Sequence, residues 1–78
     1  MGLLFFTMDD CVNCANQEVF MKNEGIDYET IDLSKNPEKA IEYGIMSTPV
    51  TILMDGEEEI DRAYGFDRDK VEEFANKL

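Results

Sequence analysis

Cysteine occurs twice in this 78-residue chain, as Cys11-Val12-Asn13-Cys14, directly after Asp9 and Asp10. On a helix, residues three apart lie one turn from each other on nearly the same face, and two sulfurs so placed admit three chemistries. The first is a redox couple. A thiolate attacks disulfides where a thiol does not, and a cysteine at a helix start meets unpaired backbone N–H groups and the positive end of the helix dipole. Cys14, one turn deeper, is then placed to resolve a mixed disulfide formed at Cys11. Asp9 and Asp10 oppose the thiolate by like-charge repulsion, so its ionisation is expected to be favoured only modestly over that of a free cysteine. The second is half of a metal site. Structural zinc takes four ligands, and with no histidine and no third cysteine a metal would have to bridge a dimer, or be an iron–sulfur cluster shared likewise. The third is a pair of incidental core thiols, since free cysteine is commonly buried.

A disulfide staple across so short a loop would constrain the unfolded chain little. In a reducing cytosol a close pair is more often catalytic or metal-binding, and the apolar opening Gly2–Phe6 is too short for a spanning helix or a signal peptide. A cytoplasmic protein is expected. Eighteen acidic against seven basic residues give a charge of -11, which repels phosphate backbones and anionic lipid and so argues against nucleic acid and membrane partners. The same excess serves solubility, or steering toward basic partner surfaces. With 44% apolar residues in short separated groups, one globular domain over residues 1–78 is expected.

The elements that must position the cysteines follow from local patterns. Leu3–Thr7 is an apolar run without helical period, a strand buried on both faces. Val12, Ala15, Val19 and Phe20 predict the buried stripe of a helix that ends at Gly25. Tyr28–Leu33 is a second strand, and Asn36-Pro37-Glu38 opens a brief second helix, with Ala40-Ile41, that stops at Gly44. Pro49–Met54 is a third strand, followed by an Asp55-Gly56 turn and a fourth strand from about Glu58 to Tyr64. Asp67 caps a last helix whose Val71, Phe74, Ala75 and Leu78 share one face. The order βαβαββα implies an α/β fold with a four-stranded mixed sheet, helices on both faces, and one parallel crossover, the one that leaves the cysteines.

With Cys11-Val12-Asn13-Cys14 between the first strand and helix, and Tyr43-Gly44-Ile45-Met46-Ser47-Thr48-Pro49-Val50 before the third strand, the chain resembles the thioredoxin superfamily. The Asp55-Gly56 turn, Gly65 and the last helix extend the resemblance over essentially the whole sequence. It implies a cis peptide before Pro49, with Thr48 and Pro49 lying against the cysteines and pairing with an extended substrate segment. It implies Cys11 as attacking and Cys14 as resolving residue, no bound cofactor and no metal. Met8, Met46 and Phe66 are candidates for an apolar rim, with Gly65 beside it.

The chain is mixed within that superfamily. It starts at the strand before the cysteines, as glutaredoxins do, and from Tyr43 to Leu78 it reads more like thioredoxin. It lacks the tryptophan before the first cysteine and the Gly-Pro between cysteines. Where glutaredoxins have a basic residue and a Gly-Gly that serve glutathione, this sequence has Met8 and Gly65-Phe66, and Asp9, Asp10 and Asp67 would repel that anion. Asp10-Cys11-Val12-Asn13-Cys14 with Gly65-Phe66 instead resembles the small redoxins that supply ribonucleotide reductase and are recharged by thioredoxin reductase. The expectation is a monomeric dithiol–disulfide oxidoreductase acting on protein disulfides. The alternatives are a glutathione-dependent glutaredoxin, or a non-catalytic adaptor or metal-bridged dimer on the same fold.

Overall fold

Successive side chains of a strand point to opposite sides of its sheet, and in Leu3-Leu4-Phe5-Phe6 both sides are apolar. Such a strand must be covered on both faces. In the computed structural model, which describes Met1–Leu78, it is. The elements are β1 (Gly2–Thr7), α1 (Val12–Asn23), β2 (Glu29–Asp32), α2 (Glu38–Tyr43), β3 (Val50–Asp55), β4 (Glu58–Tyr64) and α3 (Arg68–Ala75). The sheet order is β2-β1-β3-β4. β1 pairs parallel with β2, and the β1–β3 and β3–β4 pairs are antiparallel. The mixed sheet and the single parallel crossover through α1 agree with the sequence pattern.

Leu3, Phe5 and Leu53 face α1 and α3, where Phe20, Met21, Val71 and Phe74 are buried against them. Phe6, Val50 and Ile52 face the other way, with Ala40 and Tyr43 of α2 and the buried Ile45. Full burial of such side chains contributes roughly 1.5 to 3 kcal/mol each. Arg62 of β4 holds α2 in place, donating to the Tyr43 carbonyl oxygen at 3.0 Å and to both oxygens of Glu59. Gly44 ends that helix in the left-handed conformation, at φ 66°. Between Leu53 and Met54 the β3–β4 register slips, so that Leu53 faces Asp61 and Met54 faces Glu59. Ile60 is the extra residue of this bulge.

Three local expectations are corrected. Val12, Ala15 and Val19 do not form the buried stripe of α1: they face solvent, and Cys14, Gln17, Phe20 and Met21 face the sheet. The face turned inward is the one that carries Cys14, which packs in the core with Phe20 and Met21 against Phe5 and Val71. Leu78 lies beyond α3 and is exposed. Asn36 does not cap α2; Pro37 occupies the cap position without a side-chain bond. Asp67 does cap α3, its carboxylate accepting the Lys70 N–H at 3.1 Å.

The Tyr28 hydroxyl donates to Glu18 at 3.1 Å. Burial, then that bond and the Glu18 charge, push the phenol up to about 12. The folded state therefore holds the phenolic proton more tightly than the unfolded chain. This contribution to stability is complete below the ordinary phenol range and is lost as pH rises through about 12.

Alkaline titration followed by ultraviolet absorbance should show one of the three tyrosines ionising last, and Tyr28→Phe should delete that step. The rotation of α1 predicts that Met21→Ala costs about 2 to 5 kcal/mol and that Val19→Gln stays within about 0.5 kcal/mol. Urea unfolding of the two variants measures both, and comparable losses would contradict this orientation.

Candidate active site

The chain leaves β1 at Thr7 and must reverse into α1 within four residues. Asp10 makes the turn with φ 59°, a left-handed conformation that aspartate tolerates better than most side chains. The Asp9 N–H donates to Ser34 Oγ at 2.8 Å, the Ser34 N–H donates to Asp32, and the Leu33 N–H donates to the Thr7 carbonyl oxygen. The loop before the cysteines is thus tied to the end of β2. Cys11 occupies the cap position of α1 with extended backbone.

Cys11 and Cys14 are joined in a disulfide with 5.2 Å between their α-carbons. Cys11 is half-buried, whereas Cys14 is only 2% exposed. Solvent, or another protein, can therefore reach the outer sulfur but not the inner one. Cys11 Sγ accepts the Cys14 N–H at 3.1 Å and the Thr48 hydroxyl at 3.5 Å. Both donors favour negative charge on that sulfur once the bond is reduced, in addition to the helix start itself. The nearby aspartates Asp9 and Asp10 are exposed, where their repulsion is screened by water.

The Thr48–Pro49 peptide is cis, and Pro49 is buried. The Pro49 carbonyl oxygen accepts the Gly65 N–H at 2.8 Å, which fixes the start of β3 beside the end of β4. Gly65 has φ 71°, where a Cβ would be strained. The backbone N–H and C=O of Thr48 bond to no other protein group, so an unpaired stretch of backbone lies beside the exposed sulfur. Phe66 packs on the cluster that contains the cysteines, 5.7 Å from the Phe20 ring, and the Arg68 guanidinium covers the Phe20 ring at 4.8 Å.

The structure thus brings together Cys11, Cys14, Thr48, Pro49, Gly65 and Phe66. Met8 is largely exposed, and Met46, 99% exposed, packs against nothing in the chain. Sequence reasoning did not single out Gln17 and Thr51. Both are fully buried and hydrogen-bonded to each other, and the only sequence signal was the three-residue spacing of Gln17 from Cys14. No cluster of three or more His, Cys, Asp or Glu side chains is arranged to hold a metal. A surface cavity of about 660 Å³ is lined by Gly2, Tyr28, Tyr43, Met54 and Glu57 among others. It opens at the other end of β1 and β3, away from the sulfurs.

No family model matches the chain. It is 33% identical over 79 residues to the SPbeta prophage-derived thioredoxin-like protein YosR of Bacillus subtilis, with 100% of this chain and 99% of that protein covered. It is 29% identical over 81 residues to Thioredoxin H5 of Oryza sativa, of which it spans 60%. Among solved structures, thioredoxin 1 of Thermosipho africanus superposes with a TM-score of 0.78 at 29% identity, with 99% of this chain and 92% of that one covered.

The Thr48 hydroxyl bond predicts that, in a Cys14→Ser background, Thr48→Val slows alkylation of Cys11 by iodoacetamide at neutral pH about two- to fivefold. An unchanged rate would show that the hydroxyl does not support the thiolate.

Proposed function

The chain belongs to the thioredoxin-like proteins, and from that premise we propose that it carries electrons to the disulfides of other proteins through the Cys11/Cys14 couple. The observation that carries this reading is the asymmetry of the pair: an outer sulfur that a partner can reach, at a helix start and with two hydrogen-bond donors, and an inner sulfur closed off from solvent.

In the reduced protein the Cys11 thiolate attacks one sulfur of a partner's disulfide. A new S–S bond joins Cys11 to that sulfur, and the partner's other sulfur leaves with the bonding electron pair and takes a proton. Cys14 then gives up its proton and attacks Cys11 Sγ. The intramolecular disulfide forms, and the partner's second sulfur departs as a thiolate. That thiolate takes the proton given up by Cys14, and the first sulfur to leave has taken from solvent the proton that Cys11 lost on ionising, so the partner has gained two electrons and two protons. The unpaired backbone of Thr48 supports docking of an extended segment alongside the sulfurs, as a short strand-like pairing. Pro49 and Gly65 hold that backbone in place, and Phe66 with the exposed Met8 and Met46 offers apolar surface around it.

Recharging in this reading comes from a flavoenzyme of the thioredoxin reductase type, and ribonucleotide reductase is a candidate recipient of the electrons. The protein works as a monomer in the reducing cytoplasm without a bound cofactor. Asp9, Asp10 and Asp67, all exposed, disfavour the anionic glutathione as its reductant.

One coupled assay tests the reading: reduction of a model protein disulfide with electrons from NADPH and thioredoxin reductase, compared with electrons from glutathione. The reductase should support turnover and glutathione should not, Cys11→Ser should fall to background, and Cys14→Ser should accumulate the mixed disulfide. Turnover with glutathione alone would move the protein to the glutaredoxin-type reading, and no turnover from either source would remove the catalytic one.

A further inference from the structure

Gln17 lies one turn beyond Cys14 on the buried face of α1 and is itself fully buried. Helical side chains lean back toward the turn that precedes them, which for Gln17 is the turn of Cys14. Its Nε2 donates to Thr51 Oγ1 and lies 3.8 Å from Met21 Sδ, in the core cluster that contains Cys14. Its Oε1 has no hydrogen-bond partner, and it is the only buried side-chain nitrogen or oxygen in the chain so left. A leucine or methionine would fill the position without that cost. The state observed is the disulfide, in which neither sulfur carries a hydrogen.

We propose that Gln17 Oε1 accepts the Cys14 S–H in the dithiol form, so that the amide stabilises the reduced protein relative to the disulfide. This rests on the dithiol–disulfide reading above. When a small dithiol reduces the Cys11–Cys14 bond, the S–S bond breaks, two electrons and two protons pass to the protein, and the small dithiol becomes a disulfide. One of the protons resides on Cys14 Sγ, within the layer that holds the orphaned oxygen. When Cys14 later closes on Cys11, that proton leaves with the departing thiolate, and Oε1 loses its donor again. The oxidised state alone then bears an unpaired buried acceptor. Thr51 acts as a positioning residue, because its hydroxyl takes the Nε2 end of the amide and leaves Oε1 for the sulfur.

The test equilibrates wild type and Gln17→Leu with dithiothreitol redox buffers and counts thiols by alkylation. The variant should shift about tenfold toward the disulfide, equivalent to about 30 mV for a two-electron couple. Thr51→Val should shift the same way by a smaller factor. In a Cys11→Ser background, the infrared S–H band of Cys14 should move to higher frequency when Gln17 is replaced by Leu. A purely structural role would lower the unfolding midpoints of both redox forms alike and leave the equilibrium and the band in place. An equilibrium unchanged within about twofold, or displaced toward the dithiol, overturns the proposal. If Gln17→Leu does not fold, Gln17→Met keeps the length without the amide and carries the same expectation. Failure of the wild type to cycle between its two forms would instead overturn the redox reading itself, and it shows in the same titration before any variant is compared.

Discussion

The packing of the Cys14 face of α1 onto the centre of the sheet is the contact on which the rest of this molecule depends. With Cys11 at the cap and Cys14 turned inward, the residues three and seven positions beyond Cys14 face the sheet as well. Phe20 and Met21 then meet Phe5 and Val71, and Gln17 meets Thr51. The same rotation turns Val12 and Val19 to solvent. Apolar burial on this face is thus coupled to the geometry of the sulfurs, and a core change that tilted α1 would displace the chemistry as well.

β3 connects this layer to the outer backbone. Thr51 faces α1, where it meets Gln17, while Val50 and Ile52 point to the α2 side. Pro49 bonds to Gly65, so the ends of β3 and β4 converge on the cysteines, and α2, held by Arg62, feeds the chain into Thr48. Each segment of the site is therefore the terminus of a buried element. The rigidity of the two-layered core reaches the sulfurs through short connections, while the backbone of Thr48 remains unpaired.

The electrostatics divide the molecule in a similar way. The excess of 11 negative charges lies on the outside, and no carboxylate is buried. Glu59 is held below the usual carboxylate range by its bond to Arg62, and Glu18 accepts from Tyr28. The groups that bond to the outer sulfur are the Thr48 hydroxyl and the Cys14 backbone amide, and the buried layer one turn on holds the neutral Gln17 carboxamide. Such groups direct hydrogen bonds without adding charge to a buried layer, where an unpaired charge would be very costly.

The type and order of the elements and the cysteine pair were legible because each rests on short-range chemistry, whereas the role of the segment before Pro49 was legible only through its resemblance to the thioredoxin superfamily. Phe5-Phe6 can only be a doubly buried strand, Asp67 can only satisfy a helix start within its own turn, and a glycine at Gly44 permits a left-handed stop. The buried face of α1 was not legible, since Val12, Ala15 and Val19 share helical spacing as well as Cys14, Gln17 and Met21 do, and hydrophobicity alone favours the former. Nor could any local pattern show that Gln17 lies in the core with one oxygen unpaired, or that Thr48 reaches Cys11 across 37 residues. Local sequence determined which residues could react and which elements would carry them. Tertiary packing decided which side of each element faces inward and which distant side chains meet, because those depend on contacts between segments that the chain only brings together on folding.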